Sequence, residues 1–214
     1  MNLFIFDVDG VIETEKVLFA KRREKQFEAI MKKRGCSFEE AKKLVRETQG
    51  KLPPEKSIRT ADVLKELGFT RKDYFAMLNA VDPKGIIEEQ PHCCDVLAEL
   101  GKKHALVTFS NAPHQSLLKT LDVVGATHYF DKIYSAEDFK ESKPNPEALK
   151  QIIEEQGFSK EHVVVMGDSL KKDVLPALHL GLKAFLFDPV RKNDLSCFED
   201  VRVITDWREL LKLF

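Results

Sequence analysis

The pattern of apolar positions changes twice along the 214-residue chain. It opens with a short apolar run, Leu3 to Phe6, which is typical of a strand buried on both faces. Apolar residues then recur with helical spacing from about residue 14 to residue 88, and afterwards short apolar runs alternate with helical segments. Such alternation indicates a mostly parallel sheet with right-handed crossovers. We therefore expect a Rossmann-like α/β core, residues 1–13 and 89–214, with an all-helical domain inserted at residues 14–88.

The inserted domain is expected to hold four helices, at residues 17–34, 38–50, 54–67 and from residue 70 onward. Gly35 and Gly50 are expected to end the first two. Ser37 and Glu40 have the spacing of a capping box at the start of the second. The first helix should place one apolar group near a single face: Ala20, Phe27, Ile30 and Met31.

Two prolines locate helix starts in the second part of the chain. Asn145 is expected to cap a helix that has Pro146 at its first position, a favoured arrangement. Pro176 would disrupt a helix that began directly after Asp168. We therefore expect that helix to begin near Asp173, with Asp173 as its N-cap.

Composition and charge exclude several classes of function. The net charge of −1 gives no sign of a nucleic-acid or membrane partner, and no apolar run approaches the roughly 18–20 residues of a membrane span. The cysteines show neither C-x-x-C spacing nor a nearby histidine pair, which argues against a zinc site. Reduced thiols in a cytoplasmic protein are the expectation for these four residues: Cys36, Cys93, Cys94 and Cys197.

Polar residues recur at the ends of the predicted strands, where open α/β sheets bind their ligands. They are Asp7 and Asp9 after the first strand, Ser110 and Asn111 after "ALVTF", Lys143 in the loop after "KIYS", and Asp168 and Asp173 after "VVVMG". Several carboxylates on one rim favour a hard divalent cation, and Mg²⁺ binds through one or two carboxylates together with a substrate phosphate. The lysine and the serine would complement that phosphate.

The first strand ends on two carboxylates, which are costly to bury without a cation or an ion-pair partner. A bound cation would keep Asp7 ionised, and an ionised carboxylate is a possible nucleophile. Asp9 is then a candidate general acid and base. Gly10 permits a tight turn at positive φ, which lets the chain bend away from the site.

Four motifs in order, "DVDGV", "TFSNAP", "KPNPE" and "GDSLKKD", resemble those of the haloacid dehalogenase-like superfamily over about residues 3–188. The helical insertion between the first two resembles that superfamily's cap, which would exclude water and select the leaving group. The resemblance implies that Asp7 attacks phosphorus and that Asp9 protonates the leaving group and then activates water.

The same resemblance implies the remaining roles. The Asp7 carboxylate, the Asp9 backbone carbonyl and Asp168 would bind Mg²⁺, and Asp173 would orient water around the metal without touching it. Ser110 and Lys143 would hold the phosphoryl oxygens, with Asn111 beside them in substrate binding. The implied substrate is a small phosphorylated metabolite, and the sequence gives no oligomeric state.

Several activities within the superfamily remain to be separated. Asp9 disfavours carbon–halogen cleavage, because the true dehalogenases lack a second aspartate there. Phosphonate hydrolysis would need a Schiff-base lysine, for which Lys16 is a candidate. Phosphomutases of the β-phosphoglucomutase type commonly carry Glu where Gly167 stands, and an arginine in the stretch that reads "KLPPEK" here. Both departures favour a phosphatase over a mutase; a non-catalytic phosphate-binding or interaction module on the same fold is the further alternative.

Overall fold

The chain divides into two compact units, each described here by itself. A computed structural model describes residues 1–53, 59–191, 193, 198 and 201–214. One unit consists of Met1–Thr14 and Ile87–Phe214, and the other of Glu15–Ile86. None of the helices in the described part of the chain is both long and apolar enough to span a membrane.

The unit Glu15–Ile86 is helical where the structure describes it. Its helices are α1 (Lys16–Arg34), α2 (Phe38–Lys51), α3 (Thr60–Glu66) and α4 (Arg71–Asn79). Gly35 ends α1 with a left-handed φ of 61°. Ser37 and Glu40 form the predicted capping box of α2, and Thr70 forms a second one with Asp73 at α4. These caps satisfy backbone N–H groups that a helix start leaves without partners.

Two expectations for the helical unit are wrong and one lies outside the described residues. Ala20 is exposed, because the buried face of α1 runs through Leu18, Arg22, Gln26 and Ile30. Two of those four are polar, so a pattern of apolar residues does not reveal the face. Phe27 and Met31 are half-buried against the helical core. Helix α2 continues through Gly50 to Lys51, and the predicted start of the third helix, at residue 54, falls on residues that are not described.

The other unit contains a six-stranded sheet in which every described strand pairing is parallel, as the alternating pattern predicted. The strands are β1 (Leu3–Phe6), β2 (Ala105–Phe109), β3 (Lys132–Tyr134), β4 (Val163–Gly167), β5 (Lys183–Phe187) and β6 (Arg202–Ile204). Their spatial order is β3-β2-β1-β4-β5-β6. Leu3 pairs with Ala105 on one side and with Val163 on the other, so β1 lies between the two strands that carry the other site motifs.

Helices cover both faces of the sheet, which is why the central strands are apolar on both sides. They are α5 (Pro91–Gly101), α6 (His114–Val124), α7 (Glu147–Gln156), α8 (Leu175–His179) and α9 (Arg208–Leu213). Because successive strand residues face opposite sides, Leu3 and Ile5 join one buried cluster. Phe6 stacks on Trp207, with ring centroids 5.5 Å apart, and Phe4 meets Phe214 edge-on at 4.9 Å.

The two expected helix starts in this unit have different outcomes. The carboxamide oxygen of Asn145 accepts the backbone N–H of Glu147 at 2.9 Å, and Pro146 has helical dihedral angles, which confirms the predicted cap of α7. Asp173 is not an N-cap. A π-helical turn, Leu170–Val174, precedes α8, and the side chain of Ser169 caps it. The π-helical turn, with its i→i+5 backbone hydrogen bonds, begins the helical segment before Asp173. Pro176 still lies near the start of α8, where its missing N–H costs little.

Candidate active site

Asp7 stands at the carboxyl end of β1 with its backbone and side chain both fixed. Its N–H donates to the carbonyl of Met166 at 2.8 Å and so continues the pairing of β1 with β4. Its Oδ1 accepts the N–H of Val8 at 2.8 Å. The ladder therefore sets where the carboxylate points, because the strand cannot shift without breaking bonds on its neighbour.

Lys143 forms a nearly buried ion pair with two carboxylates. Its Nζ lies 3.0 Å from Asp7 Oδ1 and 2.6 Å from Asp173 Oδ1. The side chains of Lys143, Asp7 and Asp173 are 7%, 13% and 2% exposed. Asp173 also accepts the N–H of Ser169 at 3.2 Å through Oδ2, so both of its oxygens are engaged. Charges this far from water persist only when they are paired and hydrogen-bonded.

Burial and neighbouring charge act in opposite directions on the two partners of this pair. Burial raises the pKa of Asp7 well above its usual value, and the carboxylates of Asp173, Asp168 and Asp9 raise it further against the opposing effect of Lys143. Burial alone would lower the pKa of Lys143, but the charges of Asp173 and Asp7 outweigh it and raise that pKa above its usual value. Lys143 therefore stays positively charged, and Asp7 and Asp173 share its ammonium group as their ion-pair partner.

Asp7, Asp168 and Asp173 each bring a carboxylate oxygen within 4.8 Å of the others. With one lysine against three acids, the ionised cluster carries two excess negative charges. A purely oxygen donor set with that excess suits a hard divalent cation such as Mg²⁺. The residues present therefore fit the predicted metal.

Two glycines create the space that these carboxylates occupy. A Cβ at Gly10, which has a φ of 88°, would lie 2.5 Å from Asp168 Cγ. A Cβ at Gly167 would lie 2.2 Å from Asp173 Cβ. The positive φ of Gly10 follows the prediction from sequence, whereas its close approach to Asp168 was not anticipated. A glycine directly before an aspartate at a strand end is the signal that was available at Gly167.

Ser110 and Asn111 follow β2, the neighbour of β1. Ser110 is 1% exposed; its N–H donates to the carbonyl of Tyr134 at 3.2 Å, and its Oγ accepts the N–H of Ala112 at 3.2 Å. Asn111 donates from Nδ2 to the backbone carbonyl of Lys143 at 3.0 Å and accepts the backbone N–H of Lys143 at Oδ1 at 2.9 Å. The predicted contacts of these two residues with substrate stay predictions.

Asp9 lies on the loop after β1, and its carboxylate is not among the three clustered acids. Its backbone bridges to that of Glu13, and the N–H of Gly10 donates to the Glu13 carbonyl at 2.6 Å. These contacts shape a tight loop beside Asp7. The predicted acid–base role of Asp9, and the predicted use of its carbonyl as a metal ligand, stay predictions.

Sequence reasoning missed two residues that contact the cluster and did not weigh a third that resembles it. The ring centroid of Phe109 lies 5.1 Å from Lys143 Nζ, and nothing in the sequence distinguishes this phenylalanine from an ordinary core residue. The N–H of Ser169 donates to Asp173, and the hydroxyl of Ser169 accepts the N–H of Lys172. A serine at this spacing is a capping signal that the sequence offered. Asp188 also follows a strand, but its carboxylate accepts two bonds from Asn193 and closes a turn.

Comparison with known proteins gives one family. The family model described as haloacid dehalogenase-like hydrolase matches residues 4–187. Phosphoglycolate phosphatase of Aliivibrio fischeri is 30% identical over 96 residues, which cover 44% of this chain and 42% of that protein. Pyrophosphatase PpaX of Oceanobacillus iheyensis is 25% identical over 223 residues, which cover 100% of this chain and 96% of that protein. The chain spans less than half the length of the first curated relatives it matches.

Among solved structures, the HAD phosphatase from Thermococcus onnurineus superposes with a TM-score of 0.76 at 24% identity. The match covers 100% of this chain and 97% of that one. At this identity the likeness concerns the fold, and it agrees with the parallel sheet described above.

Replacing Gly167 by alanine should damage both stability and metal binding. The new Cβ would collide with Asp173, so β4 or the π-helical turn must move, at a cost of roughly 1–3 kcal/mol. Urea unfolding and calorimetric titration with Mg²⁺ measure the two effects. Gly50→Ala is the matched control, because nothing lies within 4 Å of its Cβ position in α2 and alanine favours a helix. Equal behaviour of the two variants would show that the close approach at Gly167 is unimportant.

Replacing Asp7 by asparagine should stabilise the metal-free protein in a pH-dependent way. The folded chain holds the Asp7 proton more tightly than the unfolded chain does, so the associated stability is present at low pH and is lost as pH rises through the folded-state pKa. In EDTA, the variant should therefore gain stability relative to the wild type from about pH 3.8 upward, until the difference levels off above the folded-state pKa of Asp7.

The measurement is urea unfolding at several pH values, with Asp73→Asn as the control of opposite sign. Thr70 donates to Asp73 and lowers its pKa, so that variant should lose stability relative to the wild type as pH rises. A pH-independent difference for Asp7→Asn would contradict the assignment of a raised pKa.

Proposed function

The chain belongs to the haloacid dehalogenase-like hydrolase family, and we propose that it is a Mg²⁺-dependent phosphatase that acts on a small phosphorylated metabolite. The observation that carries this proposal is the cluster of Asp7, Asp168 and Asp173, of which Asp7 and Asp173 pair with the ammonium of Lys143. The cluster combines an oxygen donor set for a hard cation with a fixed positive charge. A phosphate ester needs both kinds of partner during transfer.

Asp7 and Asp168 would hold Mg²⁺ together with the carbonyl of Asp9, and Asp173 would stay outside the ligand set. Once bound, the metal would offset the negative charge that the carboxylates and the phosphoryl group bring together. Asp173 has both oxygens occupied by Lys143 and Ser169, which supports a role in orienting its neighbours rather than in binding the metal.

Asp7 would act as the nucleophile. One of its oxygens, Oδ1, is held by Val8 and Lys143. The other would attack phosphorus and form an aspartyl phosphate while the bond from phosphorus to the leaving oxygen breaks. Asp9 would give its proton to that oxygen. Asp9 would then take a proton from water as the water attacks phosphorus, which releases phosphate and restores Asp7.

Lys143 and Ser110 would hold the phosphoryl oxygens during both steps. Preorganised donors of this kind stabilise developing charge without rearranging at the moment of reaction. The burial of Lys143 and the attachment of Ser110 to Tyr134 support such preorganisation, since neither residue can swing freely into solvent.

A phosphomutase of the β-phosphoglucomutase type is the second candidate. Its fourth motif commonly carries glutamate where Gly167 stands, and here a side chain at that position would collide with Asp173. The stretch "KLPPEK" lacks the expected arginine, although residues 54–56 of it lie outside the described part of the chain. Both features support hydrolysis.

Two further alternatives are less well supported. Phosphonate hydrolysis through Lys16 would need a lysine activated by burial or by a cationic neighbour, and Lys16 is exposed at the first residue of α1. A non-catalytic phosphate-binding module would not need a carboxylate with a raised pKa next to a buried lysine, and such perturbed groups cluster at sites of chemistry.

The names of the relatives support a broad class of substrate rather than one compound. Two curated proteins that the chain matches are named for activity on phosphoglycolate and on pyrophosphate, and we propose a small phosphorylated compound as substrate for this chain, with no nucleic-acid or membrane partner. The role of the helical unit as a cap that selects the leaving group stays a prediction. So does the cytoplasmic location, for which the free thiols of Cys36, Cys93 and Cys94 are the available support.

The test is phosphate release from a panel of monophosphates, which includes phosphoglycolate and a hexose 1-phosphate with a trace of its bisphosphate. Free phosphate should accumulate in step with substrate loss in Mg²⁺ and stop in EDTA, and Ca²⁺ should not replace Mg²⁺, because it prefers more ligands and looser geometry. Asp7→Asn should lower the rate by at least roughly 10³-fold.

Asp122→Asn is the matched control, since it removes the same charge from an exposed position on α6. A positional isomer that forms with little free phosphate would replace the hydrolase by a mutase. Full activity in excess EDTA would contradict the metal requirement, and no turnover of any substrate would favour the non-catalytic module.

A further inference from the structure

The side-chain amide of Asn111 joins two loops of the candidate site. Its nitrogen donates to the carbonyl of Lys143 and its oxygen accepts the N–H of the same residue, at 3.0 and 2.9 Å. The two residues are 32 positions apart in sequence. We infer that Asn111 is a positioning residue whose amide fixes the backbone of Lys143, so that the ammonium remains between Asp7 and Asp173. This inference rests on the proposed function, because it concerns how Lys143 is aimed at a phosphoryl group.

The bonds from Asn111 reach Lys143 from outside its own segment and act on its backbone N–H and carbonyl. The residue lies in a loop between β3 and α7, where the N–H of Asn145 closes a turn on the carbonyl of Ser142 at 3.0 Å, and Pro144 inside that turn has no N–H to donate. Lys143 is 5% exposed, so water is a poor substitute partner for its backbone groups. One carboxamide from Asn111 satisfies both groups, as a neighbouring strand would.

Asn111 is well placed to act as a fixed reference. The residue before it, Ser110, donates its N–H to Tyr134 on β3, and the carbonyl of Ala112, the residue after it, accepts the N–H of Ala136. Backbone bonds on both sides of Asn111 therefore tie it to β3 and to the turn that follows β3. The carboxamide transmits the position of β2 to Lys143, which makes Ser110 and Lys143 parts of one rigid frame.

Only a carboxamide of this length provides the arrangement. Alanine would leave both backbone groups of Lys143 without the partner they have now. Aspartate would keep an acceptor for the N–H but would bring a second oxygen against the Lys143 carbonyl. The lysine side chain has four rotatable bonds, so a freed backbone would let the ammonium leave both carboxylates. A displacement of about 1 Å at such a group costs on the order of 10²-fold in rate.

A double-mutant cycle tests whether Asn111 acts through Lys143. The wild type, Asn111→Ala, Lys143→Ala and the double variant are titrated with inorganic phosphate in the presence of Mg²⁺ by calorimetry, and kcat/KM is measured in parallel. Each single variant should weaken phosphate binding, and the double variant should be no worse than Lys143→Ala alone. Additive losses would overturn the inference, because they would mean that Asn111 contacts the anion itself or acts elsewhere.

Asn145→Ala is the control for general damage to the loop. Asn145 lies two residues beyond Lys143, and the substitution removes the bond that its side chain accepts from the N–H of Glu147. The carboxamide of Asn111 is left unchanged. This variant should lose stability as a lost helix cap does, while phosphate affinity stays within about 2-fold of the wild type. An equal loss of affinity in Asn145→Ala and Asn111→Ala would overturn the specific role of Asn111.

A second readout needs neither substrate nor metal. In the wild type, the ammonium protons of Lys143 are buried between two carboxylates and should give a sharp, slowly exchanging ¹⁵N signal, assigned by its loss in Lys143→Ala. Asn111→Ala should broaden or abolish this signal, and Asn145→Ala should keep it. An unchanged signal in Asn111→Ala would overturn the inference even if the protein proved to be a phosphatase. Conversely, an abolished signal in a protein without phosphatase activity would uphold the positioning role and refute the proposed function.

Discussion

The ammonium of Lys143, held between Asp7 and Asp173 with little access to water, is the interaction on which the rest of the site depends. Three carboxylates within 4.8 Å of one another repel, and one buried cation compensates them only in part. The surroundings follow from this constraint. The chain has glycine at positions 10 and 167, where a side chain would displace an acid. A remaining excess of negative charge is what a divalent metal would neutralise.

The parallel sheet is the means by which distant residues reach this point. Since all the described strands run the same way, the ends of β1, β2 and β4 meet at one edge, and each delivers a polar residue there. Buried apolar side chains on both faces fix the register, and Asp7 extends the ladder to β4. Rigid apolar packing thus supports a polar site that is itself unfavourable for stability, which is a common relation between stability and function.

The sequence predicted what is encoded locally. The apolar run Leu3–Phe6 forms β1 as expected, and both the Ser37–Glu40 capping box and the Asn145 cap rest on spacings of two or three residues. Long-range partners were not predictable in this way. The bonds between Asn111 and Lys143 join positions 32 apart, and no local spacing revealed the π-helical turn that carries Asp173 before α8. The buried face of α1 was missed because two of its residues are polar. The site residues were grouped by their positions at strand ends and by motif resemblance, whereas the strand order that brings them together is not contained in any single motif.

The central claim is that Asp7 carries the phosphoryl group during turnover. The most direct measurement is reduction of the enzyme with sodium borohydride during steady-state turnover in Mg²⁺, followed by peptide mapping with mass spectrometry. Borohydride converts an aspartyl phosphate into homoserine, so the account predicts homoserine at position 7, dependent on substrate and absent in EDTA. Homoserine at Asp9, Asp168 or Asp173, or turnover that leaves every aspartate unmodified, would contradict it.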